Sequence, residues 1–437
     1  MRIALIAESP SMPTGFGQQT RVLLEGFAAA GHEPVLLAAS VPMKPIPMKG
    51  VTEWRYSNIH DVDLTDIQLH TLQPDIVFVF GCTAFVAHYL KLRSAPSNCP
   101  IFYWLPYEGS VLPHTFRDEF RGTPANTMVH LSEFAANLWR PLVKSEYTIP
   151  HCFDSKIWKY DPNFGPDQRR KLRRTYSELF RFPLWEDDLV VLNVDRNIWH
   201  KRWDATFDFV SKLQETVTDR RVVLIAHTRK VQTQEGGHPP GFNLPYMEKR
   251  YGLKNKVCYT DFDWGDSLER SQVVDLMKLC DLRVTTSQGE GFGIPTIEAA
   301  AIGTLQLVNQ HTTMPELLGR DHPSLIPSAM VEEKMQSLWH VPNTNAMVQR
   351  ALEFLNQPTL AQHAVESARM WVSEKFTEEK VVGNFLRLFE QAVALNPPEE
   401  LHRTFRWGYQ HGADMPRVFG DCGRACSKLV DRGTVLD

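Results

Sequence analysis

Apolar residues in this chain fall in short unbroken runs separated by polar loops, and the runs alternate with stretches of helical spacing. Arg2-Ile-Ala-Leu-Ile-Ala7 shows no in/out alternation, as expected for a strand buried on both faces. The loop Ser9 to Gly17 breaks it with two prolines and two glycines. Val22, Leu23, Gly26 and Phe27 then recur at helical spacing, Gly31 fits a helix stop, and Val35 to Ala38 restarts a strand. That β-α-β order implies parallel pairing with a right-handed crossover. Asp75–Phe80, Ile101–Leu105, Thr127–Leu131 and Tyr147–Ile149 predict further strands, so a first doubly wound domain runs to about Pro150.

The pattern starts again after a polar interval. Asp154 to Asp187 has few apolar runs and a basic cluster, Arg169, Arg170, Lys171, Arg173 and Arg174. It reads as a solvated helix face in a connection between domains more than as a phosphate patch. Leu189–Asn193, Arg221–Ala226, Asn255–Thr260, Leu282–Thr286 and Leu305–Asn309 predict strands, and Val273–Leu279 and Pro295–Ile302 predict helices, the latter closed by Gly303. Thr228 to Pro245, rich in Gly and Pro, reads as a long loop. Helical periodicity runs from Met347 to Leu395, Pro397-Pro398 ends it, and a tail without strong pattern follows. The expected fold class is α/β, two Rossmann-like doubly wound domains facing across a cleft. The expected boundaries are 1–152, a connection 153–188, a second domain 189–375, and a closing helix with tail 376–437. Open α/β sheets bind ligands at the carboxyl ends of their strands, so the chemistry is sought in the loops there.

Length and composition narrow the classes. At 437 residues the chain is long for one core, which agrees with two domains. Lys and Arg total 47 against 51 Asp and Glu, a net charge of −4 that disfavours nucleic acid as the dominant partner. No stretch reaches the roughly 18 apolar residues of a membrane span. Ile3–Ala7 is too short for a secretory leader. Seven cysteines without framework spacing favour a reducing, cytoplasmic location. Cys422 and Cys426 lack the second Cys/His pair that a metal site needs.

Two segments carry candidate chemistry. In Gln288-Gly-Glu-Gly-Phe-Gly-Ile-Pro-Thr-Ile-Glu298, glycines fill the turn between a strand and a helix that Pro295 can open. Backbone N–H groups at such a start attract an anion. Glu290 in the loop and Glu298 in about the first turn would repel an anion, yet both can accept hydrogen bonds from hydroxyls beside it. An anion flanked by hydroxyls describes a nucleotide sugar. Glu298 as a dipole partner and Glu290 as a turn residue is the plainer alternative. After Leu189–Asn193, Arg196 and Lys201 stand in the loop leaving a strand of the same domain. Two fixed cations match a diphosphate and can stabilise it as it leaves, without a divalent metal. The plainer alternative is surface charge. His200 beside them is more often incidental. Tyr103, Trp104 and Tyr107 end a first-domain strand: the first two read as packing, and Tyr107, next to Glu108, reads as the better acceptor contact.

Several motifs in consistent order resemble those of retaining glycosyltransferases of the GT-B fold, family 4. Glu290 and Glu298, separated by seven residues and followed by Ala-Ala-Ala-Ile-Gly, look like that family's nucleotide-sugar motif. The Arg196 and Lys201 pair is similar to its diphosphate contacts, Ile3–Leu37 to its first β-α-β unit, and Ile149–Asp154 to its interdomain segment. The resemblance runs from Met1 to about Leu395. It departs from the family where Phe16 separates Gly15 and Gly17, and where Pro106-Tyr-Glu-Gly109 replaces a common His. It departs again where Gln310-His-Thr-Thr-Met-Pro315 replaces a glycine pair.

The resemblance implies a donor domain in the second half and an acceptor-side domain in the first, with the last helix crossing back. It implies that Arg196 and Lys201 bind the donor diphosphate and that Glu290 contacts the transferred sugar. Gly291, Phe292 and Gly293 would border sugar and phosphate through their amides, Glu298 would hold the ribose, and Gly15 and Gly17 would let the first loop approach the diphosphate. Tyr107 and Glu108 would face the acceptor, and no cofactor or metal is expected. The implied activity is sugar transfer from a nucleotide-diphosphate donor to an acceptor hydroxyl, of a glycan or small molecule, with retention. Sugar transfer to hydroxymethylated bases in DNA, a nucleotide-sugar epimerase and a non-enzymatic sugar-nucleotide binder remain as alternatives.

Overall fold

The computed structural model describes residues 1–38, 47–55, 62–90, 99–121, 128–143, 147–231, 241–260 and 268–395. Thr127, the centre of the loop expected over 228–245, Pro397-Pro398, Cys422, Cys426 and the tail lie outside the described residues.

Among the described residues, the first unit comprises those of Met1–Tyr107 and His114–His151 and the helix Glu378–Leu395. Its strands are β1 (Arg2–Ala7), β2 (Glu33–Ala38), β3 (Thr52–Arg55), β4 (Ile76–Phe80), β5 (Ile101–Trp104), β6 (Met128–His130) and β7 (Tyr147–Thr148). They form one sheet in the order β3-β2-β1-β4-β5-β6-β7 with parallel pairing throughout. The unbroken apolar runs give this result because helices cover both faces, and β4 is buried along its whole length. The helix Gly15–Ala29 packs on the helix Glu378–Leu395, and Phe27, Phe78, Trp104, Phe385 and Phe389 form an aromatic core between sheet and helices. Tyr103 and Trp104 are packing residues as expected, and Trp104 Nε1 donates to the Ile149 carbonyl at 2.9 Å.

The second unit comprises Cys152–Thr377 together with Glu108–Pro113. Its strands are β8 (Leu189–Asn193), β9 (Val222–Ala226), β10 (Val257–Tyr259), β11 (Leu282–Thr285), β12 (Gln306–Gln310) and β13 (Leu325–Pro327). They form a parallel sheet in the order β10-β9-β8-β11-β12-β13. Both sheets reverse strand order beside their first strand, the doubly wound arrangement that places loops for ligands at the switch point. A hairpin that the sequence reading missed, β14 (Met330–Lys334) and β15 (Ser337–Val341), adds a separate antiparallel pair.

Several local expectations change. The helix Pro166–Phe180 belongs to the second unit and packs on the helix Arg270–Leu279, which starts earlier than Val273. Its basic cluster is not a uniformly solvated face. Arg173 is buried, donating to the carbonyls of Leu279, Glu186 and Asp188 and pairing with Asp281 at 2.7 Å. The helical stretch after Met347 is three helices, Thr344–Asn356, Pro358–Lys375 and Glu378–Leu395; Pro358 opens the second, where its lack of an N–H costs nothing. Pro245 is already inside a helix, Leu244–Arg250, capped by Asn243.

Close packing within the first unit makes a sharp test. A Cβ on Gly26 would lie 2.5 Å from Val382 Cγ2. Overpacking of this kind costs about 1–3 kcal/mol against about 1 kcal/mol gained in helix propensity. Gly26→Ala is expected to lower the urea midpoint, and Val382→Ala added to it to raise the midpoint above that of Val382→Ala alone.

Candidate functional site

The candidate site grows from two loops at the carboxyl ends of neighbouring strands β8 and β11. Beyond β8, Asn197 pins the first loop: its Nδ2 donates to the carbonyls of Arg229 (3.0 Å) and Phe242 (2.7 Å), and its Oδ1 accepts from Phe242 N (2.8 Å). Trp199–Lys201 then forms a single 3-10 turn, closed by Arg202 in the left-handed region (φ 51°). Thr286, just past β11, donates to the carbonyls of Lys201 (3.1 Å) and Arg202 (2.9 Å), which locks this turn to the second loop.

These anchors bring Lys201 against Glu290. Both side chains are about nine-tenths buried, and Lys201 Nζ donates to Glu290 Oε1. Asp195 lies 3.9 Å from the same ammonium and accepts from Thr285 Oγ1 at 2.8 Å. Burial works against the Lys201 charge, but Glu290 and Asp195 outweigh it and raise the pKa. Burial likewise opposes the Glu290 charge, and Lys201 reverses that and holds the carboxyl below its ordinary range. Asp195 is pushed up by burial and by Glu290, with Lys201 opposing. Arg283, fully buried on β11, donates to Thr296 Oγ1 (3.1 Å) and Gln306 Oε1 (2.9 Å) and lies within the electrostatic reach of Asp195, Glu290 and Glu298.

The predicted residues are placed as follows. Lys201 sits on the 3-10 turn rather than in open loop, and it is paired rather than free. Arg196 is exposed, with no hydrogen bond or ion pair from its guanidinium among the described residues, although it acts on Glu108 and His200 through its field. Glu298 lies in the second turn of the helix Ile294–Ile302, not the first, and is buried. Gly291 is buried in the turn before it, and the Phe292 side chain packs into the core on Phe376 with ring centroids 5.7 Å apart. Gly293 caps that helix at φ 105°, where a Cβ would also meet Met314 Cε at 2.5 Å.

Glu108 and Tyr107, expected side by side at an acceptor, have different neighbours. Tyr107 packs edge-on against Phe116 in the first unit. Glu108 belongs to the second, where burial raises its pKa, Lys201 and Arg196 lower it and Glu290 raises it again. The segment that follows is tied to the hairpin: Ser110 N donates to Leu338 O (3.0 Å), Ser110 Oγ meets His340 Nε2 (2.9 Å), and Ser337 Oγ donates to Val111 O (2.7 Å). The Glu108 carbonyl would stand 2.1 Å from a Cβ on Gly289, so that turn admits glycine alone.

In the first unit, Gly15 and Gly17 are the first turn of the helix Gly15–Ala29, not loop residues. A Cβ at Gly17 would meet Met12 O at 2.5 Å and Ser9 O at 2.8 Å, so its own turn already requires glycine; Gly15 is exposed.

Sequence reasoning passed over Asp195, which stands next to Arg196, and Arg283, a charge inside an otherwise apolar strand run and hence a visible signal. It also passed over His311 and Thr312. Burial drives the pKa of His200 and of His311 down to about 3.

Two doubly wound units with this strand order give the GT-B fold class shared with solved glycosyltransferases. The comparisons agree. Residues 177–371 match the family model of glycosyl transferases group 1. An uncharacterized glycosyltransferase of Methanocaldococcus jannaschii is 20% identical over 239 residues, 54% of this chain and 52% of that protein, so the match spans about half of the relative's length. Sucrose-phosphate synthase from Thermosynechococcus elongatus superposes with a TM-score of 0.70 at 15% identity, covering 90% of this chain and all of that one. Anabaena HepE in complex with UDP-glucose gives a TM-score of 0.66 at 15% identity over 90% of this chain and 100% of that one. Among the described residues no helix is long and apolar enough to cross a membrane.

Two outcomes follow from the buried charges. Removing one partner of a buried pair leaves the other uncompensated, so Lys201→Met is expected to destabilise by about 3–5 kcal/mol in urea titration, and adding Glu290→Gln to recover part of it. His200 and His311 have folded pKa values far below an unfolded value near 6.5. The unfolded chain therefore binds more protons between pH 6.5 and about 3, and stability is expected to fall as pH drops through that window. Glu290 acts in the same direction at lower pH: its contribution is present above the ordinary carboxylate pKa and is lost as pH falls through its own lowered value. A urea midpoint that is flat from pH 7 to pH 5 would contradict the histidine assignment.

Proposed function

We propose that this protein transfers a sugar from a nucleotide-diphosphate donor to an acceptor hydroxyl with retention of anomeric configuration, as a member of family 4, without a divalent metal. The observation that carries the reading is the Lys201–Glu290 pair, buried together with Asp195 beside an exposed Arg196 whose guanidinium has no partner among the described residues. An ammonium held by a carboxylate keeps its proton and still has N–H groups to offer a phosphate oxygen. Arg196 adds a planar fork suited to bidentate contact. Together they supply two positive charges to a leaving diphosphate, and such preorganised charge acts most strongly where water is excluded.

Glu290, once a donor occupies the site, uses its remaining lone pairs on hydroxyls of the transferred sugar, while Glu298 and the amides of Gly291, Phe292 and Gly293 serve the ribose, sugar and phosphate. The diphosphate takes the acceptor's proton on the same face. Glu108, whose pKa burial raises, orients the acceptor hydroxyl. The group 1 family match over the second unit and the UDP-glucose named for the Anabaena neighbour support a nucleotide-sugar donor. The sucrose-phosphate synthase likeness supports a hydroxyl acceptor.

Arg196→Ala tests this cleanly, because the Arg196 guanidinium makes no hydrogen bond or ion pair among the described residues. Its stability is expected to stay within about 0.5 kcal/mol of the parent while kcat/KM falls about 10²–10³-fold. UDP-, GDP- and ADP-sugars are to be screened by thermal shift: one donor class should raise the melting temperature of the parent and fail to do so for Lys201→Ala. Activity should survive EDTA. A strict Mg²⁺ or Mn²⁺ requirement would overturn the charge assignment to Arg196 and Lys201.

A further inference from the structure

His311 lies just past β12, where the helix Met314–Leu318 begins, and its side chain is buried. Its Nδ1 is 2.9 Å from Thr312 Oγ1. That hydroxyl also accepts from Glu290 N (3.3 Å) and donates to Glu290 O (3.0 Å). With the hydroxyl proton committed to the Glu290 carbonyl, Nδ1 is the donor of the His311–Thr312 bond. The ring is then the Nδ1–H tautomer and Nε2 carries a bare lone pair. Among the described residues Nε2 makes no direct hydrogen bond and is buried, although the Ser287 backbone carbonyl acts on the ring.

A buried acceptor without a donor is costly, so its persistence asks for a group that is not part of this chain. Among the described residues, two more buried polar atoms around the same turn lack partners: His200 Nε2 and Gln288 Oε1. His200, His311, Glu290 and Lys201 all lie within one another's field. Thr312 holds a left-handed backbone (φ 34°), which is rare for a β-branched residue and is met where surrounding structure enforces it at functional sites.

Resting on the donor reading above, we infer that His311 is a sugar-reading residue: its Nε2 accepts a hydrogen bond from a hydroxyl of the transferred sugar. Several ligand groups compete for that atom, and chemistry separates them. A phosphate oxygen brings only lone pairs and would be repelled by a neutral Nε2. A sugar hydroxyl brings the proton that Nε2 lacks, and the adjacent Glu290 carboxylate can take a second hydroxyl of the same ring. A donor N–H on the nucleobase would satisfy Nε2 equally, and the experiment separates that case.

The full chain, His311→Asn and His311→Gln are to be titrated calorimetrically with UDP and UDP-glucose, GDP and GDP-mannose, and ADP and ADP-glucose. Asn keeps a donor near Nδ1 for Thr312 and loses the polar atom at Nε2; Gln does the reverse. For the pair the parent prefers, His311→Asn is expected to weaken the nucleotide sugar about tenfold, the effect of one hydrogen bond, and to leave the nucleoside diphosphate unchanged. His311→Gln is expected to retain more of the sugar's contribution than His311→Asn. Equal weakening of diphosphate and nucleotide sugar would overturn the inference in favour of base or phosphate contact, and so would no weakening of either. If the parent binds none of the six probes, the donor reading fails and this one fails with it. Binding by the parent with an unchanged sugar contribution in both variants sinks the inference alone.

Discussion

A lysine ammonium taken out of water beside three carboxyl groups is the constraint around which the second unit is arranged. Isolated, each of these charges would be expelled or neutralised. Held together, Lys201 and Glu290 keep each other ionised, and the structure around them exists to prevent their separation. Thr286 ties the lysine turn from behind. Thr312 ties the glutamate turn through its backbone. Arg283 supplies a second buried cation beneath. Burial drives Asp195 and Glu108 toward the protonated form and the Glu290 charge adds to it, while Lys201 holds Glu290 ionised.

An ion pair of this kind is weak evidence for stability and better evidence for a task. The group 1 family match covers the part of the chain that holds Lys201, Glu290 and Glu298. The remote structural likenesses extend over both units but bear on fold alone. Under the proposed reading, the choice of sugar depends on side chains around the Glu290 turn that those likenesses do not fix, and His311 is one polar ring placed there.

Most of the fold was legible because strands buried on both faces leave continuous apolar runs, as in Ile3–Ala7 and Leu189–Leu192, and because Gly31 and Gly303 punctuate helices where a positive φ is needed. The Glu290 and Lys201 loops were legible for the same reason: each follows directly on such a run. What escaped was long-range or lacked a periodic signal. The hairpin β14–β15 turns Met330, Val331 and Leu338 outward, so no alternation of polar and apolar residues marks it. The break at Pro358 falls between two helices with continuous amphipathic spacing, and Arg173 looks like any surface arginine until Asp281, far along the chain, is brought to it. Glu108 was noticed as a nearby polar residue, but nothing local tells that its segment is stitched to Ser337 and His340.

That stitching has a bearing on how such a protein can be taken apart and recombined. The six residues Glu108–Pro113 leave the first unit, lie along β15, and return, so the second unit is not a single stretch of chain. A chimaera cut at the obvious junction near Cys152 would inherit a foreign strip against Gly289 and His340, with a different carboxyl group, or none, in the place of Glu108. Transplanting the second unit whole means exchanging that short strip along with the larger piece it belongs to.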